Sequence, residues 1–250
     1  IITARVDQLA DFLKLREPEY YRVTSADDPD FKEPVAPVKI SRFSRASNYN
    51  EPEVFVDHYM HLELPAALKP GKHYELELVG GILPAGEKVA SKAAFSLDAT
   101  PNPSFKVNQV GYSGSAGVTL AYLASYLGDG APVDLSGFTK FEIRDAETGK
   151  SVFSGDIKPH AERDDQGLDK LYVLDLSGFK NEGRFYIWVD GLGRSFDFLN
   201  GDAAAERMYE LSQTGLLFQR SGFAMDGSVG GKWTRPLAHD KIFVTKENLT

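Results

Sequence analysis

Cysteine is absent from all 250 residues. That excludes disulfides and thiolate metal sites outright and leaves the compartment open. An excess of positive charge is absent too: 28 lysines and arginines stand against 36 acids, a net charge of −8. A chain of that sign has no bulk attraction for nucleic acid or an anionic membrane, and no basic run supplies a local patch. Neither nucleic acid nor a membrane is expected as a partner. No apolar run approaches the ~20 residues that a membrane-crossing helix needs. An initiating Met and a basic-then-apolar leader are also missing; the chain opens Ile1-Ile2. Such an opening fits a removed signal or a start inside a longer gene.

What is present is globular in character. Hydrophobic residues make up 42%, aromatic residues 12% and charged residues 26%. That suffices to bury real cores, and the length suits one large domain or two ordinary ones.

Residues 1–103 read as a first β-rich block. Ile1 to Arg16 carries Leu9, Phe12, Leu13 and Leu15 among charges and predicts a short amphipathic helix. Ala26-Asp27-Asp28-Pro29-Asp30 is turn chemistry with three acids. A calcium loop would use such acids, but no glycine or downstream glutamate completes a ligand set, and a solvated turn needs nothing more. Val54 to Leu64 alternates as a strand and places His58 and His61 on opposite faces, which argues against a shared metal. His73 to Val79 and Ala93 to Leu97 predict further strands. Short strands separated by Pro65, Lys69-Pro70-Gly71 and Gly80-Gly81 point to an antiparallel sandwich. Thr100-Pro101-Asn102-Pro103 removes two backbone donors and restricts the residues before them, so a domain boundary is expected at 103.

Residues 104–200 repeat the pattern. Val118 to Tyr126 is nearly all apolar or small and predicts a strand buried on both faces. Phe138 to Arg144, Ser151 to Gly155, Lys170 to Leu176, Gly183 to Asp190 and Arg194 to Leu199 follow, with a hairpin turn at Asp145 to Lys150. About seven short strands in this span is an immunoglobulin-like count. Gly191-Leu192-Gly193 lacks the third glycine and following helix of a dinucleotide loop. Asp164-Asp165-Gln166-Gly167 reads as a solvated loop or a calcium site.

At residue 201 the pattern changes to helix. Ala203 to Arg220 spaces Ala204, Met208, Leu211, Gly215 and Phe218 along one face, behind capping residues at Asn200 to Asp202. Gly215 costs about 1 kcal/mol relative to Ala, which predicts a close backbone neighbour. An amphipathic helix needs a partner for its stripe, and no other helix of this length occurs in the sequence. Trp233, Arg235 and His239 then fall within seven residues of one loop. An indole, a guanidinium and an imidazole suit a sugar, and they serve equally well in an ordinary ordered loop.

Lys106-Val107-Asn108-Gln109-Val110-Gly111-Tyr112 resembles the opening of the immunoglobulin-like domain ahead of the catalytic module in family 9 glycoside hydrolases, the cellulase E group. Phe141-Glu142-Ile143-Arg144-Asp145, Leu171 to Phe179 and Gly183 to Ile187 agree in order. Leu216 to Gly222 is similar to the end of the first helix of that family's (α/α)6 barrel, and Trp233 to His239 to the loop after it. The resemblance spans about residues 104–250. Residues 1–103 resemble the extra sandwich domain placed ahead of this pair in some multidomain members, and together these imply a mainly β chain: two tandem antiparallel β-sandwiches, the second immunoglobulin-like, followed by the first helix of an α/α barrel. The domains would be 1–103, 104–200 and 201–250, the last a truncated start of the catalytic barrel.

The implied function is the N-terminal portion of an inverting glycoside hydrolase of β-linked glucans, secreted or periplasmic. Its partners would be a β-glucan, reached through the parent enzyme, and the remainder of the barrel. The family's catalytic base lies in an Asp-Ala-Gly-Asp phrase downstream of the loop, and its general acid lies near the end of the barrel. No catalytic residue is therefore assigned within 1–250, and this chain alone is expected to be inactive. Trp233, Arg235 and His239 are the implied substrate-binding residues at the cleft rim. No cofactor is implied. Where members carry a Cys-His pair that helps bind zinc, this chain has Ala238-His239 and lacks the thiolate. The rival readings are a tandem β-sandwich that binds carbohydrate or protein without catalysis, and a structural spacer.

Overall fold

Asp145 to Lys150 turns as its residues dictate. The Asp145 carboxylate accepts from the Thr148 backbone and hydroxyl at 2.7 and 2.8 Å, and Gly149 takes φ +68°. The turn joins β8 (Lys140–Asp145) to β9 (Ser151–Pro159), the centre of the larger of two β blocks. The computed structural model describes residues 13–48, 55–82, 90–160, 170–238 and 241.

The larger block adds β6 (Phe105–Lys106), β7 (Leu120–Leu123), β10 (Tyr172–Asp175), β11 (Gly183–Val189), β12 (Gly193–Arg194) and β13 (Phe198–Asn200). Hydrogen bonding runs in the order β12-β11-β8-β9-β10-β7-β6, with β13 also on β11. All of these pairs are antiparallel. β9 turns the corner: Ser151 and Phe153 to Asp156 pair with β8 around an irregularity at Val152, and Ile157 to Pro159 pair with β10. A strand that changes sheets lets two layers face each other. Phe141, Ile143, Phe185, Ile187, Val189 and Phe198 come from one layer and Phe105, Leu123, Tyr172 and Leu174 from the other, all buried in one core.

The alternation of β11 sends Phe185, Ile187 and Val189 inward, yet Tyr186 and Trp188 on the outer face are buried as well. Arginines cover them. The Arg194 guanidinium lies 3.9 Å from the Tyr186 ring centroid, and that of Arg144 lies 4.5 Å from Trp188. The weakly hydrated guanidinium plane stacks well on an aromatic face.

The smaller block comes first in the chain. β1 (Tyr21–Thr24), β4 (His73–Leu78) and β5 (Ala90–Ala94) form an antiparallel sheet in the order β1-β4-β5, and β2 (Lys39–Asn48) pairs with β3 (Phe55–Glu63) as a separate ribbon. Val23, Phe31 and Tyr74 make its core, with Phe31 edge-on to Tyr74 at 5.3 Å. β2 is pressed against the turn at Gly128–Gly130 of the larger block. A Cβ on Gly128 would overlap the Arg42 carbonyl, and Gly128 has φ +69°.

The mainly β chain closing on a helix matches the sequence reading, with shifted ends. The strand expected over Val118 to Tyr126 is only Leu120–Leu123, and Val118 is 71% exposed. Its ladder is as long as its partners allow: β10 offers four residues and β6 two. The strand expected over Ala93 to Leu97 runs instead from Ala90 to Ala94, in register with His73 to Glu77. Of the expected opening helix, Leu13 begins the described residues, Lys14–Arg16 is a single 3-10 turn, and the rest lies outside the described residues.

Candidate functional site

The Lys106 to Tyr112 stretch fixes where the long helix leaves the sandwich. α1 spans Asp202–Gln219. Tyr112 donates its backbone N–H to Leu199 at 2.8 Å, and its carbonyl accepts from Gly201 at 3.0 Å. Its ring packs edge-on against Phe198 at 5.3 Å, and its hydroxyl donates to the Leu120 carbonyl at 3.2 Å. Burial raises the Tyr112 pKa. Gly201 is the N-cap and Asp202 puts a carboxylate in the first turn, where the helix dipole favours it.

Past this first turn most of the helix is exposed, with Leu217 and Phe218 half-buried near its end. Ala204 is its only buried residue. Met208, Tyr209, Leu211 and Leu216 are between 53% and 66% exposed. No described atom lies within 4 Å of a Cβ built on Gly215, so the close neighbour expected there is not found among the described residues. Of the predicted stripe, Met208 and Leu211 are thus left in water, Phe218 is half-buried and Ala204 is covered.

The loop after α1 folds back on itself. Met225 and Arg235 exchange backbone hydrogen bonds at 2.9 and 3.0 Å, and Gly222 donates to Ala238 at 2.8 Å. Between them α2 (Gly227–Gly230) is a single turn capped by Asp226, which accepts from Ser228 at 2.9 Å. Trp233 is 63% exposed, with the Lys232 ammonium 5.1 Å from its ring centroid. Arg235 turns its guanidinium to the Arg220 carbonyl at the end of α1. One of the three sequence candidates is therefore an exposed indole with a lysine over its ring, and one ties the loop to the helix. The third, His239, lies outside the described residues.

The acid-rich turn has a structural use. Asp28 is buried, and it accepts from Lys69 at 2.8 Å and from the Tyr74 hydroxyl at 2.6 Å. Lys69 also reaches Asp30 at 2.6 Å, and His73 pairs with Asp27 at 3.0 Å. The hydrogen bond from Lys69, then that from Tyr74, holds the Asp28 carboxyl below its usual range. His58 Nδ1 lies 2.7 Å from the Ser44 hydroxyl on the neighbouring strand. Among the described residues no three His, Cys, Asp or Glu side chains converge as a metal site. The other acidic candidate, Asp164 to Gly167, lies outside the described residues. No helix among the described residues is long and apolar enough to cross a membrane.

An open concavity of about 450 Å³ lies beside the 100–103 linker, lined by Ala99, Pro101, Gln109, Arg184, Arg194, Phe196 and Asp197. Sequence reading missed it, because its residues come from four separate stretches. The available signal was Arg184 at an outward position of a strand that is otherwise aromatic on that face.

Residues 100–194 match the family described as the cellulase N-terminal ig-like domain, so this stretch is an immunoglobulin-like domain of that kind. No match is found among curated proteins. Three solved structures are similar in part. A metagenome-derived glycoside hydrolase family 9 endoglucanase is 28% identical, with 54% of this chain and 24% of that one covered at a TM-score of 0.44. A thermostable endoglucanase from Alicyclobacillus acidocaldarius is 21% identical, over 55% and 22%, at 0.42. A Bacteroides ovatus GH9 protein is 23% identical, over 56% and 23%, at 0.44. This chain spans about a quarter of the length of each, and no side-chain role is carried across from them.

Proposed function

We propose that this chain is the N-terminal portion of an inverting glycoside hydrolase acting on β-linked glucans, and that it supplies scaffold and first barrel helix without the catalytic carboxylates. The observation that carries this reading is the direct passage from a cellulase-type ig-like domain into an 18-residue helix on which Met208, Tyr209, Leu211 and Leu216 are exposed. An amphipathic helix gains most of its stability from a partner that buries its stripe. The other helices of an α/α barrel would be that partner, and residues 201–250 would be the barrel's beginning.

Inverting hydrolysis needs a carboxylic acid to protonate the leaving oxygen and a second carboxylate, set back by the room for a water, to activate that water. Here the sandwich would brace the barrel, and residues 1–103 would form a separate domain ahead of the sandwich at 104–200. Trp233 would offer its exposed ring at the cleft rim, with Arg235 holding the loop that presents it and His239 beside them. The natural setting would be secreted or periplasmic, where polymeric glucans are met.

Reading the gene past Thr250 tests this proposal. An Asp-Ala-Gly-Asp phrase followed by further helical sequence is expected. A stop codon directly after Thr250 contradicts it and favours a non-catalytic tandem β-sandwich.

A further inference from the structure

We propose that the concavity beside the linker is a binding site for a carboxylate-bearing sugar, a uronic-acid residue of a glycan. Three features of its lining carry this. The first is charge. Two guanidiniums, Arg184 and Arg194, face a single carboxylate, Asp197, so the concavity is cationic on a chain of net charge −8. Asp197 is already engaged: Arg184 lies 2.6 Å from its Oδ2, and Arg194 holds its Oδ1.

The second is division of labour between the two arginines. Arg194 is committed to the fold. Its side chain stacks on Tyr186 and bonds the Ser195 and Asp98 carbonyls as well as Asp197. Arg184 has only the Asp197 contact among the described residues, and its side chain is 65% exposed. The rest of its guanidinium is a planar set of donors in the geometry that a carboxylate accepts bidentately. Asp197 holds the arm in place and leaves that set outward.

The third is the rest of the lining. Phe196 is 39% exposed, so an aromatic face is available for the C–H face of a pyranose ring. The exposed Gln109 amide offers a donor and an acceptor to ring hydroxyls. The volume, about 450 Å³, falls within the roughly 300–1,000 Å³ of small-ligand sites. A neutral sugar would offer the Arg184 fork only uncharged hydroxyl acceptors, whereas a carboxylate matches both its charge and its two parallel donors, which is why charge decides the ligand class. The proposal does not depend on the hydrolase reading.

Calorimetric titration of the whole 250-residue chain with a uronic-acid trisaccharide, and in parallel with cellotriose, tests it. The uronate should bind and the neutral trisaccharide should not bind measurably. Arg184→Ala should weaken uronate binding about tenfold or more, the scale of one hydrogen bond to a charged group. Phe196→Ala should weaken it too, and Arg184→Lys should fall between because it keeps the charge and loses the fork. Unchanged melting temperatures separate these losses from misfolding. Should a variant melt early, the salt dependence of the unmutated chain decides, since raised ionic strength should weaken uronate binding. Equal affinity for cellotriose, indifference of uronate binding to both substitutions and to salt, or no uronate binding by the unmutated chain would each overturn the proposal.

Discussion

A Cβ on Gly111 would lie 2.6 Å from the Cβ of Ala204, with Gly111 at φ +128°. The turn before Tyr112 and the first turn of α1 are therefore fitted to each other through the absence of a side chain. Gly111→Ala adds both a clash and a backbone penalty, and should lower stability by about 1–3 kcal/mol in urea unfolding. Gly114→Ala is the control, because its Cβ would meet Gly201 at an ordinary 3.5 Å, and it should leave the midpoint nearly unchanged.

The sandwich core should behave as a packed interior. Ile187 is completely buried between the layers. Ile187→Ala removes buried methyl groups and leaves a cavity, so a loss of about 2–5 kcal/mol is expected from chemical denaturation.

These contacts separate what was legible in the sequence from what was not. The period-two runs at Phe55 to Glu63 and Gly183 to Val189, the Asp145 to Lys150 turn and the long helix were readable, because local pattern decides them. β2 was not. Its Lys-Ile-Ser-Arg-Phe-Ser-Arg run has few apolar residues, and it forms through pairing with β3 and pressure from the Gly128 turn. The burial of Tyr186 and Trp188 was invisible for a related reason, since the covering arginines come from other strands. The Asp28–Lys69–Tyr74 group joins residues 41 and 46 positions apart, beyond any local signal. Of the candidate site, the exposed indole was readable. The turn of Arg235 toward Arg220 was not, since it depends on how the loop folds back.

Exposed positions of α1 should tolerate charge in this chain. Leu211→Glu and Leu216→Glu replace side chains already in water, so unfolding free energy should change by no more than about 0.5 kcal/mol. A loss of several kcal/mol would mean that the chain buries this face itself.

Among the described residues, the Gly128–Gly130 turn carries the contact between β2 and the larger block. Asp129 accepts from the Arg42 backbone at 2.6 Å and pairs with Arg16, and Gly128 leaves room for β2. Gly128→Val should free the ribbon from the turn, read as faster proteolysis or amide exchange in β2 and β3 with the larger block still protected.

Acid should unfold the chain in two stages. Burial lowers the His58 and His61 pKa values, so their contribution is full above about pH 6.5 and is lost as pH falls through the folded values. Lys69 lowers the Asp28 carboxyl, and the Arg42 backbone lowers that of Asp129. A depressed carboxyl stabilises above its unfolded value of about 3.9 and loses that effect below it. Melting temperature should therefore drop slightly below about pH 6.5 and steeply below about pH 4. Asp28→Asn should start from a lower plateau and show a shallower acid fall.

Assay of reducing-end release from a soluble β-glucan by this 250-residue chain is the most direct measurement. No turnover above the protein-free blank is predicted, because the proposed function puts the catalytic acid and base outside residues 1–250. Sustained hydrolysis by the purified chain would contradict the account, since the carboxylate pair would then have to lie among residues 1–250.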